Sequence, residues 1–277
     1  MNIPPTGSGA PQGRRPSLDF ATKLVTTAPP PRIAFPEVVS GWVVGLFTDA
    51  GEASGTFQYR SRPDRCAQIG PAIDPERCES EAARRARTMV RRFMVANGLH
   101  RMGSATYAGE GLTDEHVIRR HVGHFFKRLR YEVVGQRFAY LWVPEWHPGG
   151  HGLHIHFALD RFIKQPVLVE KWSHGILDIR RFNVTQHDGD RGAARRAAAY
   201  MAPYLAKDFN EHAHTHGLHR YEVAQGFQPK VERIVATTRA EAIRKASERM
   251  GAFPSRQWSS TESVGWSGPP ALWAQWR

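Results

Sequence analysis

The chain has 277 residues with 38 basic and 26 acidic side chains, so its formal net charge is +12 and its isoelectric point is about 10.2. This length is sufficient for a full hydrophobic core, and the positive charge favours a polyanionic partner, with nucleic acid ahead of an anionic membrane. No stretch approaches the roughly 18 apolar residues of a membrane span, and the N-terminus lacks the pattern of a secretory signal, so we expect a cytoplasmic protein without a membrane partner.

The first part of the chain predicts a tether followed by a basic extension. Residues 1–35 are rich in Pro, Gly, Ser and Thr, a composition typical of a disordered segment. Residues 36–100 are predicted to form an N-terminal extension with short strands near 42–47 and 56–59. The extension ends in a helix over residues 80–97, which an Asn-Gly pair would terminate.

The helix over residues 80–97 is rich in arginine, whose planar guanidinium suits phosphate. No acidic residue follows Glu81 in helical register, which favours contacts with a DNA backbone over a merely solvated face. Together with two arginines of a later helix, the predicted DNA-binding residues are Arg84, Arg85, Arg87, Arg91, Arg92, Arg195 and Arg196.

Residues 101–250 alternate strand-like and helix-like patterns and are predicted to form the main domain. Apolar residues recur at helical spacing from Val117 to Leu129, in a helix that Thr113 would cap. The other elements are a looser stretch and six predicted strands and helices: strands over 104–107, 138–145, 153–159 and 221–224, the stretch over 176–184, and helices over 190–207 and 239–250. This order predicts an α+β fold with a central antiparallel sheet flanked by helices, which we expect on one face of the sheet.

Two further segments leave alternatives open. The tail of residues 251–277 would stack on bases or bind a protein partner if its tryptophans are exposed, and would otherwise pack on the domain. These tryptophans are Trp258, Trp266, Trp273 and Trp276. A histidine-rich loop follows the helix over 190–207, and a solvated loop is favoured there over a second metal site. Its histidines are His212, His214, His216 and His219.

The segment around His154 and His156 has the pattern of a metal site. The two histidines alternate on a predicted strand, so both imidazoles lie on one face of the sheet, whereas Ile155 and Phe157 point into the core. Two neutral imidazoles on a rigid strand form a good half-site for a divalent metal. The alternative is a pair of ordinary half-buried strand residues.

A third ligand has three candidates. A hairpin through Pro148-Gly149-Gly150 would bring Glu145 back beside His154 and add an oxygen ligand. His151 is an alternative, and His147 is a weaker one. Because a single H-x-H pair is common by chance, the position of Glu145, nine residues before His154, is what favours a metal site.

A second set of functional side chains follows on the predicted helix over 190–207. Tyr200 and Tyr204 are four residues apart and Lys207 is three residues further on, so all three share one helical face. A phenol is a poor nucleophile at neutral pH because its pKa is about 10, but it attacks as a phenolate beside a metal-bound phosphate and a lysine. The alternative is an amphipathic helix that buries two tyrosines, and Pro203 is expected to kink the helix.

These motifs occur along the chain in a fixed order: Ser104 to Tyr107, Glu145 to His156, and Tyr200 to Lys207. In this order and spacing the chain resembles the HUH replication endonucleases of small phages and actinobacterial plasmids over about residues 80–225. Members of this family initiate rolling-circle replication. The two tyrosines are similar to those of the phage-type initiators.

The resemblance implies a central antiparallel sheet with Mg²⁺ or Mn²⁺ held by His154, His156 and Glu145. It implies that the metal polarises a phosphate of single-stranded origin DNA while a tyrosine attacks, which leaves a 5′-phosphotyrosyl protein and a free 3′-OH.

The resemblance also implies roles for the residues of the tyrosine helix. Tyr204 matches the Y-x-x-K part of the family's motif and is the expected main nucleophile, with Lys207 positioning the phosphate. Tyr200 would be the second nucleophile, which cuts and rejoins after one round. Family members often carry a lysine where this chain has Pro203, a departure that puts the role of Tyr200 in doubt.

Other interpretations use the same residues differently. A histidine-triad hydrolase would need a further histidine at Ala158. A basic DNA-binding protein without catalysis would bury the histidines and tyrosines. A relaxase or tyrosine transposase shares the chemistry, although a relaxase usually carries its tyrosine before the histidine motif. Since the sequence has no phosphate-binding ATPase loop, an initiator of this kind would need a separate helicase and the host polymerase.

Overall fold

The computed structural model describes residues 40–59, 74–147, 149–205 and 219–277. The strands in these ranges are β1 Gly41–Phe47, β2 Glu52–Gln58, β3 Arg101–Ala105, β4 Tyr140–Trp146, β5 Leu153–Leu159, β6 Leu177–Arg181, β7 Glu222–Val223, β8 Glu232–Ala236, β9 Arg256–Ser259 and β10 Ala271–Gln275. The α-helices are α1 Pro75–Ala96, α2 Glu115–Arg128, α3 Gln165–Trp172, α4 Gly189–Met201 and α5 Arg239–Met250. A π-helix continues α2 over Leu129–Val134, and a 3₁₀ turn spans Ser260–Glu262.

The strands form two antiparallel sheets of five strands each. One sheet has the order β6-β3-β5-β4-β7 and is called the site sheet below, and the other has the order β8-β1-β2-β10-β9 and is called the second sheet. Helices flank both sheets, which confirms the predicted α+β class. None of the described helices combines the length and apolar character that a bilayer-spanning segment needs.

The site sheet carries helices on both faces rather than on one. Ile155 and Phe157 of β5 pack with α2 and α3, whereas Ala158 packs on the opposite face with α1 and α4. Both faces are covered because Phe157, Ala158 and Leu159 are buried in succession, which a half-solvated antiparallel strand would not tolerate. The alanine-rich side of α4 adds Ala197 to this second face and lets the helix lie close to the sheet.

The second sheet unites parts of the chain that the sequence places in different segments. Strands β1 and β2 come from the predicted extension, β8 from the predicted main domain, and β9 and β10 from the predicted tryptophan-rich tail. Trp276 is only 1% exposed, and its indole N–H donates to the carbonyl of Ala252 over 2.9 Å. The boundaries expected at residues 100 and 250 therefore do not separate sheets, and the segment 1–35 lies outside the described residues.

Three of the predicted DNA-binding arginines bind the protein itself. Arg91 donates from Nε and Nη2 to both carboxylate oxygens of buried Glu52, over 3.0 and 2.9 Å, and Arg92 donates from Nε to the same carboxylate over 2.8 Å. Arg195 donates to backbone carbonyls, among them that of Ala50 over 3.3 Å. The acidic partner of Arg91 and Arg92 comes from β2, about forty residues earlier, so helical register alone did not predict it.

Element ends differ from expectation in two places near the site. Asp114 caps α2, accepting from the backbone N–H groups of His116 and Val117, so the predicted cap at Thr113 is wrong by one residue. Helix α4 ends at Met201 rather than near residue 207, because Pro203 cannot continue its hydrogen-bond ladder. An additional helix, α3, forms within a region for which the sequence predicted no helix.

Candidate active site

The hairpin of β4 and β5 places the predicted metal ligands side by side. Glu145 lies directly opposite His154 in the strand register, as the predicted hairpin requires. The backbone N–H of His147 donates to the carbonyl of Gly152 over 2.9 Å and closes the turn. Gly152 has a φ of +75°, and a Cβ there would lie 2.4 Å from the carbonyl oxygen of Leu112, so only glycine lets the hairpin dock on that loop.

The three predicted ligands differ in their hydrogen bonding. His156 donates from Nε2 to Oε2 of Glu145 over 2.6 Å. Glu145 is only 7% exposed, which makes this an enclosed carboxylate–imidazole pair. Nε2 of His154 is buried and has no hydrogen-bond partner among the described residues. A buried polar atom without a partner is costly in a folded protein, so it calls for a ligand or another functional reason.

Two more histidines of the turn surround His154. The ring of His147 stacks on that of His154 with centroids 4.4 Å apart, and the ring of His151 lies 5.3 Å from that of His147. Burial lowers the pKa of His154, and the neighbouring His147 and His156 lower it further, against the opposing charge of Glu145. The effect keeps His154 neutral, which is the form of imidazole that binds metals.

The donor set fits a divalent cation, although its atoms do not converge on one centre. Among the described residues, no group of three His, Cys, Asp or Glu side chains is arranged to hold a metal ion. The reason lies in the hydrogen bond between His156 and Glu145, in which two of the three donors satisfy each other. Two imidazoles and one carboxylate are ordinary ligands of such ions, and the unpartnered Nε2 of His154 is the observation that matches a missing ligand.

The tyrosine of the second motif packs directly on this cluster. The ring of Tyr204 stacks on that of His156, with centroids 3.8 Å apart and an angle of 15° between the planes. Met201 and Leu205, on either side of Tyr204 in the chain, are buried among α1, α4 and the site sheet. Tyr204 thus lies on the same face of the site sheet as His154 and His156.

The second tyrosine lies next to the first but further out. The rings of Tyr200 and Tyr204 are 5.7 Å apart, and Tyr200 is 53% exposed. The pKa of Tyr204 is raised, first by burial and then by its hydrogen bond with Tyr200 and the charge of Glu145. The two tyrosines meet although α4 ends between them. Lys207 lies outside the described residues, as do His212, His214 and His216.

The remaining predicted DNA-binding arginines lie on two helices of this face. Arg84, Arg85 and Arg87 of α1 are exposed and form no ion pair with any residue that the structure describes. Helix α1 packs against α4, so these arginines lie on the helix next to that of the tyrosines. Arg196 on α4 binds the carboxylate of Asp188 and donates to a backbone carbonyl over 2.6 Å.

Sequence reasoning missed two contacts of this site. The ring contact of Tyr204 with His156 joins residues 48 positions apart, and periodicity within one element carries no information on such a pair. His147 lies against His154, whereas the sequence ranked it as the weakest of the three candidates for the third ligand. Its place immediately before the Pro-Gly-Gly turn was the available signal, because a hairpin returns the chain to the same point.

Comparison with known proteins gives one match. A family described as replication-associated protein ORF2 matches residues 100–209, which contain both histidines, Glu145 and both tyrosines. No curated protein and no solved structure matches the chain significantly. The similarity supports a replication initiator of the Rep type, and with it DNA as the partner.

Proposed function

We propose that this protein is a rolling-circle replication initiator that nicks and rejoins single-stranded origin DNA through a 5′-phosphotyrosine intermediate. The observation that carries the proposal is the stacking of Tyr204 on His156, which in turn is hydrogen-bonded to Glu145. A phenol and the donor atoms for a cation thus meet at one point of a basic protein. The similarity to replication-associated proteins makes origin DNA the substrate that fits this arrangement.

The donors favour Mg²⁺ or Mn²⁺ held by His154, His156 and Glu145, which when bound would withdraw charge from the scissile phosphate. The hydroxyl of Tyr204 attacks the phosphorus, an oxygen–phosphorus bond forms, and the bond to the 3′-oxygen breaks. The tyrosine gives up its proton, and the departing 3′-oxygen takes one up to become a free 3′-OH. Since burial raises the pKa of Tyr204, the residue stays a protonated phenol until the phosphate is in place.

Tyr200 is proposed as the second nucleophile. Its ring lies 5.7 Å from that of Tyr204, and its exposure leaves it accessible to a strand that arrives after the first cut. Attack by Tyr200 on a regenerated origin would release the first strand end for rejoining. Lys207, which the motif places three residues after Tyr204, would position or neutralise the phosphate.

The initiator would act with other proteins. The sequence contains no phosphate-binding loop of the ATPase type, so unwinding of duplex origin DNA requires a separate helicase. The free 3′-OH would prime synthesis by the host polymerase. Arg84, Arg85 and Arg87 are the exposed cations proposed to hold the DNA backbone beside the site.

A covalent-adduct assay tests the proposal. The protein is incubated with single strands from the DNA that flanks its own gene, with Mn²⁺ or with EDTA, and adducts are separated on a denaturing gel. We expect an adduct that requires Mn²⁺ and maps to the peptide of Tyr204, and its loss in Tyr204→Phe. Tyr200→Phe is the matched control and should keep the first adduct.

The same assay identifies the alternatives. If Tyr200→Phe removes the adduct and Tyr204→Phe keeps it, the roles of the two tyrosines are reversed. If the protein binds every strand but no strand gives an adduct, while a known nicking enzyme does in parallel, the protein is a DNA-binding protein without this catalysis.

A further inference from the structure

A second site lies at the edge of the site sheet, away from the tyrosines. It is a cavity of about 300 Å³, at the lower end of the size range of small-molecule sites. Its walls come from α2, the π-helix, the start of β4 and the chain after β7, and the side chains that matter are Lys127, Arg130, Tyr131, Arg137, Tyr140 and Phe227. Three of these side chains are cationic and three are aromatic.

The aromatic part of the cavity is built on a rigid base. The ring of Tyr140 stacks on that of buried Phe126, with centroids 3.8 Å apart and 5° between the planes. Tyr131, on the π-helix, is 63% exposed. Phe227 follows β7, where a backbone bond from Ala224 to Tyr140 fixes the chain. Exposed aromatic rings on a fixed frame are the usual platform for nucleobases, because every base has a flat face that stacks.

The cationic part has no acidic counterpart within the cavity. The guanidinium of Arg130 lies over the ring of Tyr131 at 4.9 Å, and that of Arg137 lies over Phe227 at 5.7 Å. No acidic side chain is among the described residues that line the cavity. Glu222, whose charge acts on Tyr140, is already paired with Arg119. The cavity therefore combines stacking surfaces with uncompensated positive charge.

The local backbone opens this cavity. Tyr131 and Arg130 lie on the π-helix, a wide turn that is rare in proteins and often found at functional sites. Gly123, on the turn of α2 that lines the cavity, has open space where a Cβ would be. Glycine weakens a helix at such a position, so its presence there leaves room at a cost in helix stability.

We propose that this cavity binds one nucleotide, with the base against Tyr131, Tyr140 or Phe227 and its phosphate on Lys127, Arg130 and Arg137. The inference rests on the proposed function in taking single-stranded DNA as the source of that nucleotide, and a free nucleotide would share the chemistry. Tyr140 and Glu145 are five residues apart on β4 and point to opposite faces, about 16 Å apart along the strand. The cavity would hold DNA at a distance from the cut.

A pair of substitutions at Gly123 tests the cavity without weakening the fold. Gly123→Leu fills the space and Gly123→Ala leaves most of it, while both are better helix formers than glycine. Binding of a fluorescent oligothymidylate is measured by anisotropy in EDTA, so that no cleavage occurs. We expect Gly123→Leu to bind about tenfold more weakly, the change for losing one stacked base, while Gly123→Ala binds as the wild type does. The melting temperature of both variants should equal or exceed that of the wild type.

A charge-matched pair tests the cationic wall. Arg130→Gln and Arg180→Gln each remove one positive charge, but Arg180 lies on β6 at the opposite edge of the sheet and is 85% exposed. We expect a several-fold weaker affinity for Arg130→Gln than for Arg180→Gln. An oligonucleotide with 5-iododeoxyuridine should photocross-link to peptides that contain Tyr131, Tyr140 or Phe227.

The outcomes separate this inference from the proposed function. Thymidine triphosphate, titrated against the same variants, identifies a free nucleotide as the source if its affinity alone falls in Gly123→Leu. Wild-type affinities of Gly123→Leu for both the strand and the nucleotide would overturn the inference, even where the tyrosine adduct forms. Conversely, weakened binding by Gly123→Leu in a protein that forms no adduct would keep the cavity and remove the proposed nicking activity.

Discussion

The ring of Tyr204 lies parallel to that of His156 at a centroid distance of 3.8 Å, and this contact connects the end of α4 to the middle of the site sheet. His156 is meanwhile held by Glu145 from the neighbouring strand. The phenol is therefore positioned by the same imidazole that is proposed to bind the cation. Displacement of either element would separate the nucleophile from the metal site.

The unpartnered nitrogen of His154 leads to a prediction about stability and metal binding. His154→Leu removes a buried polar atom without a hydrogen bond, so in EDTA we expect an unfolding free energy equal to the wild-type value or up to about 1 kcal/mol higher. The same variant should lose most of the rise in melting temperature that Mn²⁺ causes in the wild type. Differential scanning calorimetry with EDTA and with Mn²⁺ measures both quantities.

His124→Leu is the matched control for this prediction. His124 is exposed on α2, so its substitution should leave the response to Mn²⁺ unchanged. A His154→Leu protein that is clearly less stable in EDTA and still responds fully to Mn²⁺ would show that His154 is an ordinary structural residue.

The buried carboxylate of Glu52 gives a second prediction. Burial lowers the pKa of Arg92, and the charge and hydrogen bond of Glu52 oppose that effect. Glu52→Gln would leave the buried guanidinium without a counter-charge, so we expect it to lower the free energy of unfolding by about 3 kcal/mol. Glu232→Gln, which breaks the exposed pair with Arg249, should cost less than about 1 kcal/mol. Equal losses in urea unfolding would mean that Glu52 does not join the second sheet to α1.

The local part of the site was predictable from the sequence, whereas its distant contacts were not. Alternation along a strand puts His154 and His156 on one face, and a short turn brings Glu145 back opposite His154, so both features follow from neighbouring residues. The pairing of Arg92 with Glu52 joins two elements forty residues apart. No periodicity within α1 contains that information.

The same limit explains the differences in fold. The tryptophan-rich tail contains only short strand-like runs, and their partner strands lie more than two hundred residues earlier in the chain. The predicted single layer of helices overlooked α4, whose alanines give little signal of burial because alanine is also a common surface helix former. The end of α4 was foreseeable, since Pro203 breaks the helix for a reason contained in the residue itself.

The start of α4 gives a prediction about pH. Hydrogen bonds from Arg196 and Thr185 lower the pKa of Asp188 to about 2, whereas an unfolded aspartate titrates near 3.9. A lowered folded-state pKa stabilises the fold above the unfolded value, and this contribution disappears as the pH falls through 4 towards 2. Asp188→Asn should therefore melt below the wild type at neutral pH, with a difference that shrinks below about pH 4.

Thermal melts of the wild type and Asp188→Asn across this pH range measure the difference. Asp190→Asn, in the first turn of the same helix, controls for loss of one negative charge near a helix N-terminus. A difference between wild type and Asp188→Asn that persists unchanged to about pH 2 would contradict the assignment.

The exposed arginines of α1 give a prediction about salt. Each phosphate that a cation neutralises on single-stranded DNA contributes about 0.7 to the slope of log affinity against log salt. Replacing Arg84, Arg85 and Arg87 together by glutamine should therefore reduce the magnitude of this slope by up to about 2, without lowering the melting temperature. The effect follows from their position, since they lie on the helix beside that of Tyr204 and have no ion-pair partner in the described part of the chain. The matched control replaces three exposed arginines of α5, which packs on the second sheet: Arg239, Arg244 and Arg249. Both variants lose the same charge, so equal slopes would mean that only the net charge matters, whereas a smaller slope for the α1 variant alone would place the DNA backbone along this helix.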